Sequence, residues 1–232
     1  EAIFHGLAEV IERDAWALVE ATRSTGPLIR DVEDGQAKGL LDKFAAAEVD
    51  VYLRDITSDI GVPTCAAAAD DVRLRDPTLL TTGMGTHTSA SVAVLRALTE
   101  VAQSRLTQIH GAREDTTLAD FRKQIGYDRT KRLNKHWFEA SENKSFAEIQ
   151  SFESDDFLLD IKYMMKKLEE AGLNRVVVVD LTREEIGLPV VRVIVPGLEI
   201  TAVDPERVGK RCRDARRNAR NRRLPRAKPL QS

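Results

Sequence analysis

EAIFHGLAEVIERDAWALVE, residues 1–20, repeats its apolar side chains at the spacing of one α-helical turn. On a wheel of ~100° per residue, Ile3, Phe4, Leu7, Ile11, Ala15 and Leu18 form one stripe. Glu9 and Glu12 fall on the far side, beside His5, Trp16 and Val19. A helix that is apolar on most sides is a buried one, and buried charge must be paired or bound to metal. VAVLRALTEVAQSRL, residues 92–106, has the same design, with Glu100 followed three residues later by Gln103. Residues at i and i+3 share a helix face. Packed together, the two helices would therefore direct the side-chain oxygens of Glu9, Glu12, Glu100 and Gln103 into one space. Mg²⁺ is commonly held by one or two carboxylates plus substrate phosphates, so the pairing suggests a shared metal–nucleotide site. Glu is also a good helix former, and E-x-x-E alone is most often a solvated face.

Two charges sit within the apolar stripes. Asp14 falls in the first, and Arg105 falls in the second among Val94, Leu95, Leu98, Val101, Ala102, Leu106 and Ile109. Each needs a partner, either in a structural ion pair or in the site itself. At 232 residues, 42% hydrophobic and 31% charged, the chain can bury a sizeable core and reads as a soluble globular protein. No apolar run is long enough for a membrane span, and no signal peptide is visible. Cys65 and Cys212 make no disulfide framework and suit a cytoplasmic, reducing compartment. In VPTCAAAA, Cys65 reads as a buried thiol more readily than as a nucleophile. From Lys210 to Ser232 there are ten Lys or Arg against Asp214 alone, a local +9 that leaves −11 for residues 1–209 within the total of −2. That basic tail reads as a solvated helix fraying into a flexible end, with an acidic partner or nucleic acid as the functional alternative. No aromatic is interleaved with its arginines, which argues against a single-stranded nucleic-acid site.

Along the chain, the spacing predicts a helix to about Thr22, a turn at Gly26-Pro27, and a helix from Asp34 to Glu48. A strand over Val51–Thr57 follows, with a hairpin mate at Val62–Asp70. Leu79 to His87 reads as a glycine-containing loop suited to close approach of a ligand, feeding a helix over 89–111. His87, at that junction, could act as a base or as a helix cap. Residues 112–154 read as a helical surface excursion anchored by Trp137 and Phe138. An amphipathic helix over Phe157–Ala171 ends at Gly172, and apolar runs follow at Arg175–Leu181 and Pro189–Val195.

In their order and spacing, EAIFHGLAEVIERDA, VYLRDITSDIGVPTCAA, GMGTHTSASVAVLRALTEVAQSRL and VVVVDLTREEIGLPVVRVIVPGLE resemble the YcaO family. The resemblance covers Glu1 to Glu199. It implies an α+β fold with helices layered on mostly antiparallel sheets and ATP between the two acidic helices. The catalytic domain would span 1–209, with 210–232 as the basic tail. It implies an ATP- and Mg²⁺-dependent enzyme that phosphorylates a backbone amide oxygen. The family's E-x-x-E motif falls on Glu9 and Glu12, and its E-x-x-Q-x-R motif on Glu100, Gln103 and Arg105. Arg105 or Arg13 would neutralise phosphate charge, as could Arg192 from PVVRVIVP, which reads equally as a sheet-surface salt bridge.

Family members carry an N-terminal lobe ahead of the first helix that adds Ser and Lys contacts to the nucleotide. Here Glu1 opens directly into that helix, so the lobe is expected to be missing from this sequence. The ending RLPRAKPLQS lacks the Pro-x-Pro-x-Pro of azoline-forming cyclodehydratases. The VVVVDLTREEIGLPVVRVIVPGLE ending is similar to the subgroup that works with a TfuA-type protein, which includes methanogen members implicated in thioamidating a glycine of methyl-coenzyme M reductase. The expected partners are thus a peptide or protein substrate and a TfuA-like protein supplying sulfide. A homodimer stays open, as do azoline formation and an idle nucleotide-binding scaffold.

Overall fold

The computed structural model describes residues 1–33, 35–111, 117–139, 142–200, 204 and 206–223. In chain order the elements are α1 (Ala2–Thr22), β1 (Leu28–Arg30), α2 (Gly35–Ala46), β2 (Val49–Asp55), β3 (Thr64–Asp71) and β4 (Thr81–Thr86). There follow α3 (Ala90–His110), α4 (Thr117–Ile125), α5 (Tyr127–Leu133), α6 (Lys135–Phe138) and β5 (Asn143–Ser145). The chain continues through α7 (Phe157–Glu170), β6 (Val177–Asp180), β7 (Val191–Ile194) and α8 (Lys210–Arg223). No helix among the described residues is long and apolar enough to cross a membrane.

The fold is α+β. One sheet runs β4-β3-β2-β1-β5, antiparallel except for the parallel β1–β5 pair, and β6 with β7 makes a separate antiparallel ribbon. The run TCAAAADD does not alternate because β3 is buried on both faces. Cys65, Ala67 and Ala69 pack with Ala93, Ala97 and Val101 of α3. Ala66 and Ala68 turn the other way, to Ala15 and Val19 of α1 and to Trp137. Methyl side chains in the middle of the sheet let a helix settle closely on each side. Behind α1, Phe4, Leu7 and Ile11 meet Met164 and Leu168 of α7 and Val193 of β7. Trp137 and Phe138 are buried, as an anchor should be.

The segment expected as a loop over Leu79–His87 is instead largely a strand. Thr81–Thr86 pairs along β3 from Thr64↔Thr86 to Ala69↔Thr81. Its glycines serve packing: a Cβ on Gly83 would meet the Ala97 carbonyl oxygen at 2.6 Å, and one on Gly85 the Ala97 nitrogen at 2.7 Å. They admit α3 onto the strand. The short strands β1 and β5 were not foreseen either; each has only three residues and no pattern of its own.

Of the basic tail, Lys210–Arg223 forms a helix packed along α1, and residues 224–232 lie outside the described residues. Its inner side buries Cys212, and Glu199 caps its start by accepting the N–H groups of Gly209 at 2.7 Å and Cys212 at 3.0 Å. Arg211 then reaches Asp14, donating from Nε to Oδ1 at 2.9 Å and from Nη2 to Oδ2 at 2.8 Å, and also donates to Asp59. This is the partner that Asp14 required inside the α1 stripe. A fraying tail would have left that carboxylate, 0% exposed, without a countercharge.

Candidate functional site

Because α1 and α3 lie on opposite faces of the sheet, their polar sides meet around its edge, at β4. A strand edge has N–H groups with no strand to receive them. Here one is used by a carboxylate: the Met84 N–H donates to Oε2 of Glu100 at 2.7 Å. The backbone of Thr86 gives similar support to Glu12. Around this edge opens a cleft of about 320 Å³, lined by Glu9, Glu12, Arg13 and Trp16 of α1, by Met84, and by Arg96, Thr99, Glu100 and Gln103 of α3. The four oxygen-bearing residues expected to converge thus line one cleft.

The electrostatics of the cleft are unusual. Glu12 is 8% exposed, and its Oε2 is buried with no hydrogen-bond partner among the described residues. Burial, then the charge of Glu9, then that of Glu100, push the Glu12 carboxyl up to about 7. Glu100 is raised as well, by desolvation first and by Glu9, against the Met84 hydrogen bond. Glu9 holds Arg13 at 2.5 Å. A buried carboxylate oxygen with no donor, beside two further carboxylates, is a site short of positive charge. The donor set is all oxygen, which fits Mg²⁺. No closed cage of three or more carboxylates, histidines or cysteines stands ready among the described residues. An ion that completes its shell with phosphate oxygens and water does not need one.

Two of the three arginines assigned to phosphate lie elsewhere. Arg105, on the inner side of α3, donates through Nη2 to Oδ2 of Asp71 at 2.9 Å, with the two side chains 13% and 6% exposed. Asp71 stays below its ordinary range: burial opposes its charge, but the Leu74 N–H and Arg105 outweigh that. Arg105→Met should therefore cost about 3 kcal/mol of stability at neutral pH by orphaning Asp71. Chemical denaturation should show the loss shrinking in acid, as Asp71 takes up a proton, with nucleotide affinity unchanged. Arg192 is exposed on β7, paired in register with Val179, and lines no part of the cleft. Of the three, Arg13 lines the cleft.

Arg96 was missed. It stands one turn before Glu100 on α3, where an arginine reads as an ordinary i,i+4 partner of that glutamate. Its turning into the cleft depends on how α3 sits against β4. His87 accepts the Ser89 N–H on its Nδ1 at 2.9 Å just ahead of α3, whose N-cap is Ser89, and it lines no part of the cleft. Burial raises the thiol pKa of Cys65, which leaves it a core side chain.

The model of the YcaO family, described as YcaO cyclodehydratase, ATP- and Mg²⁺-binding, matches residues 1–199. The chain belongs to the YcaO family. YcaO from Methanopyrus kandleri, solved with AMPPCP and Mg²⁺, superposes with a TM-score of 0.78 at 32% identity, covering 90% of this chain and 55% of that one. A protein of Methanothermobacter thermautotrophicus is 56% identical over 93% of this chain and 57% of its own length. A protein of Rhizobium leguminosarum bv. trifolii encoded in the tfuA 3′ region is 32% identical, over 86% of this chain and 50% of its own. The chain spans about half the length of these relatives. All the cleft residues, and β4 between them, lie inside the YcaO match, whereas α8 lies beyond it.

Proposed function

We propose that this chain carries the ATP- and Mg²⁺-binding core of an enzyme that activates a peptide backbone amide and converts it to a thioamide. The observation that carries the proposal is the buried, undonated Oε2 of Glu12 beside Glu9 and Glu100 in a cleft of a YcaO fold. ATP and Mg²⁺ are the cofactors; bound there, they supply a phosphoryl group that turns the amide oxygen into a leaving group, with the metal shielding phosphate charge. Glu9, Glu12 and Glu100 would hold the metal, and Gln103 would add a neutral oxygen. Arg13, held by Glu9, lies within reach of phosphate. Met84 and Thr86 position the glutamates through backbone hydrogen bonds from β4.

The relative encoded in the tfuA 3′ region supports a TfuA-like protein as partner, and the resemblance of the chain's ending to the TfuA-associated subgroup favours external sulfide as the nucleophile. The same resemblance points to a glycine of methyl-coenzyme M reductase as the target. Azoline formation, from a neighbouring Cys, Ser or Thr of the peptide, is the second reading, supported by the family's cyclodehydratase description. Mass spectrometry of a glycine-containing peptide, treated with the intact protein, Mg-ATP and sulfide, separates them. The expected product has gained the mass difference between sulfur and oxygen. Loss of one water from a Cys- or Ser-containing peptide would replace thioamidation by cyclodehydration, and no product with either peptide would refute both.

A further inference from the structure

The cleft holds two cations in unequal states. Arg13 is engaged with Glu9 at 2.5 Å. The Arg96 guanidinium makes no hydrogen bond or ion pair among the described residues, and its Nε is buried without a partner. It is nevertheless near enough to Glu12 and Glu100 to pull both carboxyls down. A guanidinium has five N–H donors in a rigid fork; here the buried Nε lacks an acceptor, and the outer nitrogens of the half-buried side chain are left free to meet one in the cleft. Neither neighbouring glutamate bonds it: Oε2 of Glu100 accepts the Met84 N–H instead, and Oε2 of Glu12 is left bare. Arg105, on the same helix, is paired through Nη2 with Asp71; its Nη1 is buried without a partner among the described residues, but it lines no part of the cleft.

We propose that Arg96, outside the E-x-x-E and E-x-x-Q-x-R pattern, is the residue that grips the nucleotide's phosphate chain. The proposal rests on the nucleotide site described above. With a metal on the glutamates, phosphate oxygens brought beside Glu12 and Glu100 lie next to an unused fork, which binds tetrahedral oxyanions in pairs of parallel hydrogen bonds. Arg96 would thus contribute little before the nucleotide enters and much afterwards, whereas Arg105 holds β3 to α3 at all times.

The test is calorimetric titration of the intact protein and its Arg96→Gln and Arg96→Lys variants with Mg-AMPPCP, Mg-ADP and adenosine. Arg96→Gln is expected to weaken both phosphorylated ligands by about 10- to 100-fold, the range of charged hydrogen bonds, and to leave adenosine unchanged. Arg96→Lys should restore part of the loss, since it keeps the charge but not the fork. Arg96→Gln binding both phosphorylated ligands as wild type does would overturn the assignment to Arg96 while leaving the nucleotide site intact. An equal loss for adenosine would make the residue structural and overturn it too. Wild-type protein that binds none of the three would instead refute the nucleotide site itself, and Arg96's role with it.

Discussion

Glu12→Gln is expected to abolish Mg-dependent nucleotide binding and, in the metal-free protein, to make the fold more stable at pH 8. The two effects share one cause. In the folded chain the Glu12 carboxyl titrates near about 7 instead of 4.5, because it is buried and faces Glu9 and Glu100. Below pH 4.5 the group is protonated whether folded or unfolded and contributes no difference. Between there and about pH 7 the unfolded chain releases its proton first, so stability falls as pH rises; above about 7 the penalty is constant. That interval corresponds to about 3 kcal/mol, which a neutral glutamine removes. Denaturation of both proteins without metal should show near-equal stability at pH 4 and a clear gain for the variant at pH 8. Titration with Mg-AMPPCP should show the metal-dependent component gone. In the wild type, binding near pH 7 should release about half a proton per site from Glu12 to the buffer. A variant less stable than wild type at pH 8, or one with wild-type metal dependence, contradicts the electrostatic account of the cleft.

Arg211→Met is expected to cost about 3–5 kcal/mol, because it leaves Asp14 buried without its countercharge. Burial already pushes the Asp14 carboxyl up, against the pull of Arg211 and the Glu199 N–H, and Arg211 is held all the more firmly protonated by its two carboxylates. Asp14 lies two residues from Glu12, and Arg211 also engages Asp59, so one guanidinium ties α8 both to α1 and to the β2–β3 connection. Urea denaturation at neutral pH measures the loss. Arg211→Met combined with Asp14→Asn should recover a large part of it, since the uncompensated charge is then absent. A loss below about 1 kcal/mol in the single variant, the size of an exposed pair, would mean that α8 is only loosely held.

The periods of the two acidic helices, the faces of Glu9, Glu12, Glu100 and Gln103, the β2–β3 hairpin and the burial of Trp137 were legible in the chain. Each depends on neighbours a few residues apart, where local geometry sets which side chains share a face. Thr-Thr-Gly-Met-Gly-Thr did not announce a strand, because its glycines answer to the backbone of α3 rather than to any strand preference. Nor did Arg105 announce Asp71, 34 residues away, or Asp14 announce Arg211, 197 residues away. The sequence by itself determined which oxygens could face together. Only the tertiary structure decided that they do so over the open edge of β4, which charges are cancelled inside the core, and that Arg96 is the cation left facing the cleft. Pairing between distant charges is settled by the packing of whole elements, and a one-dimensional period carries no record of that.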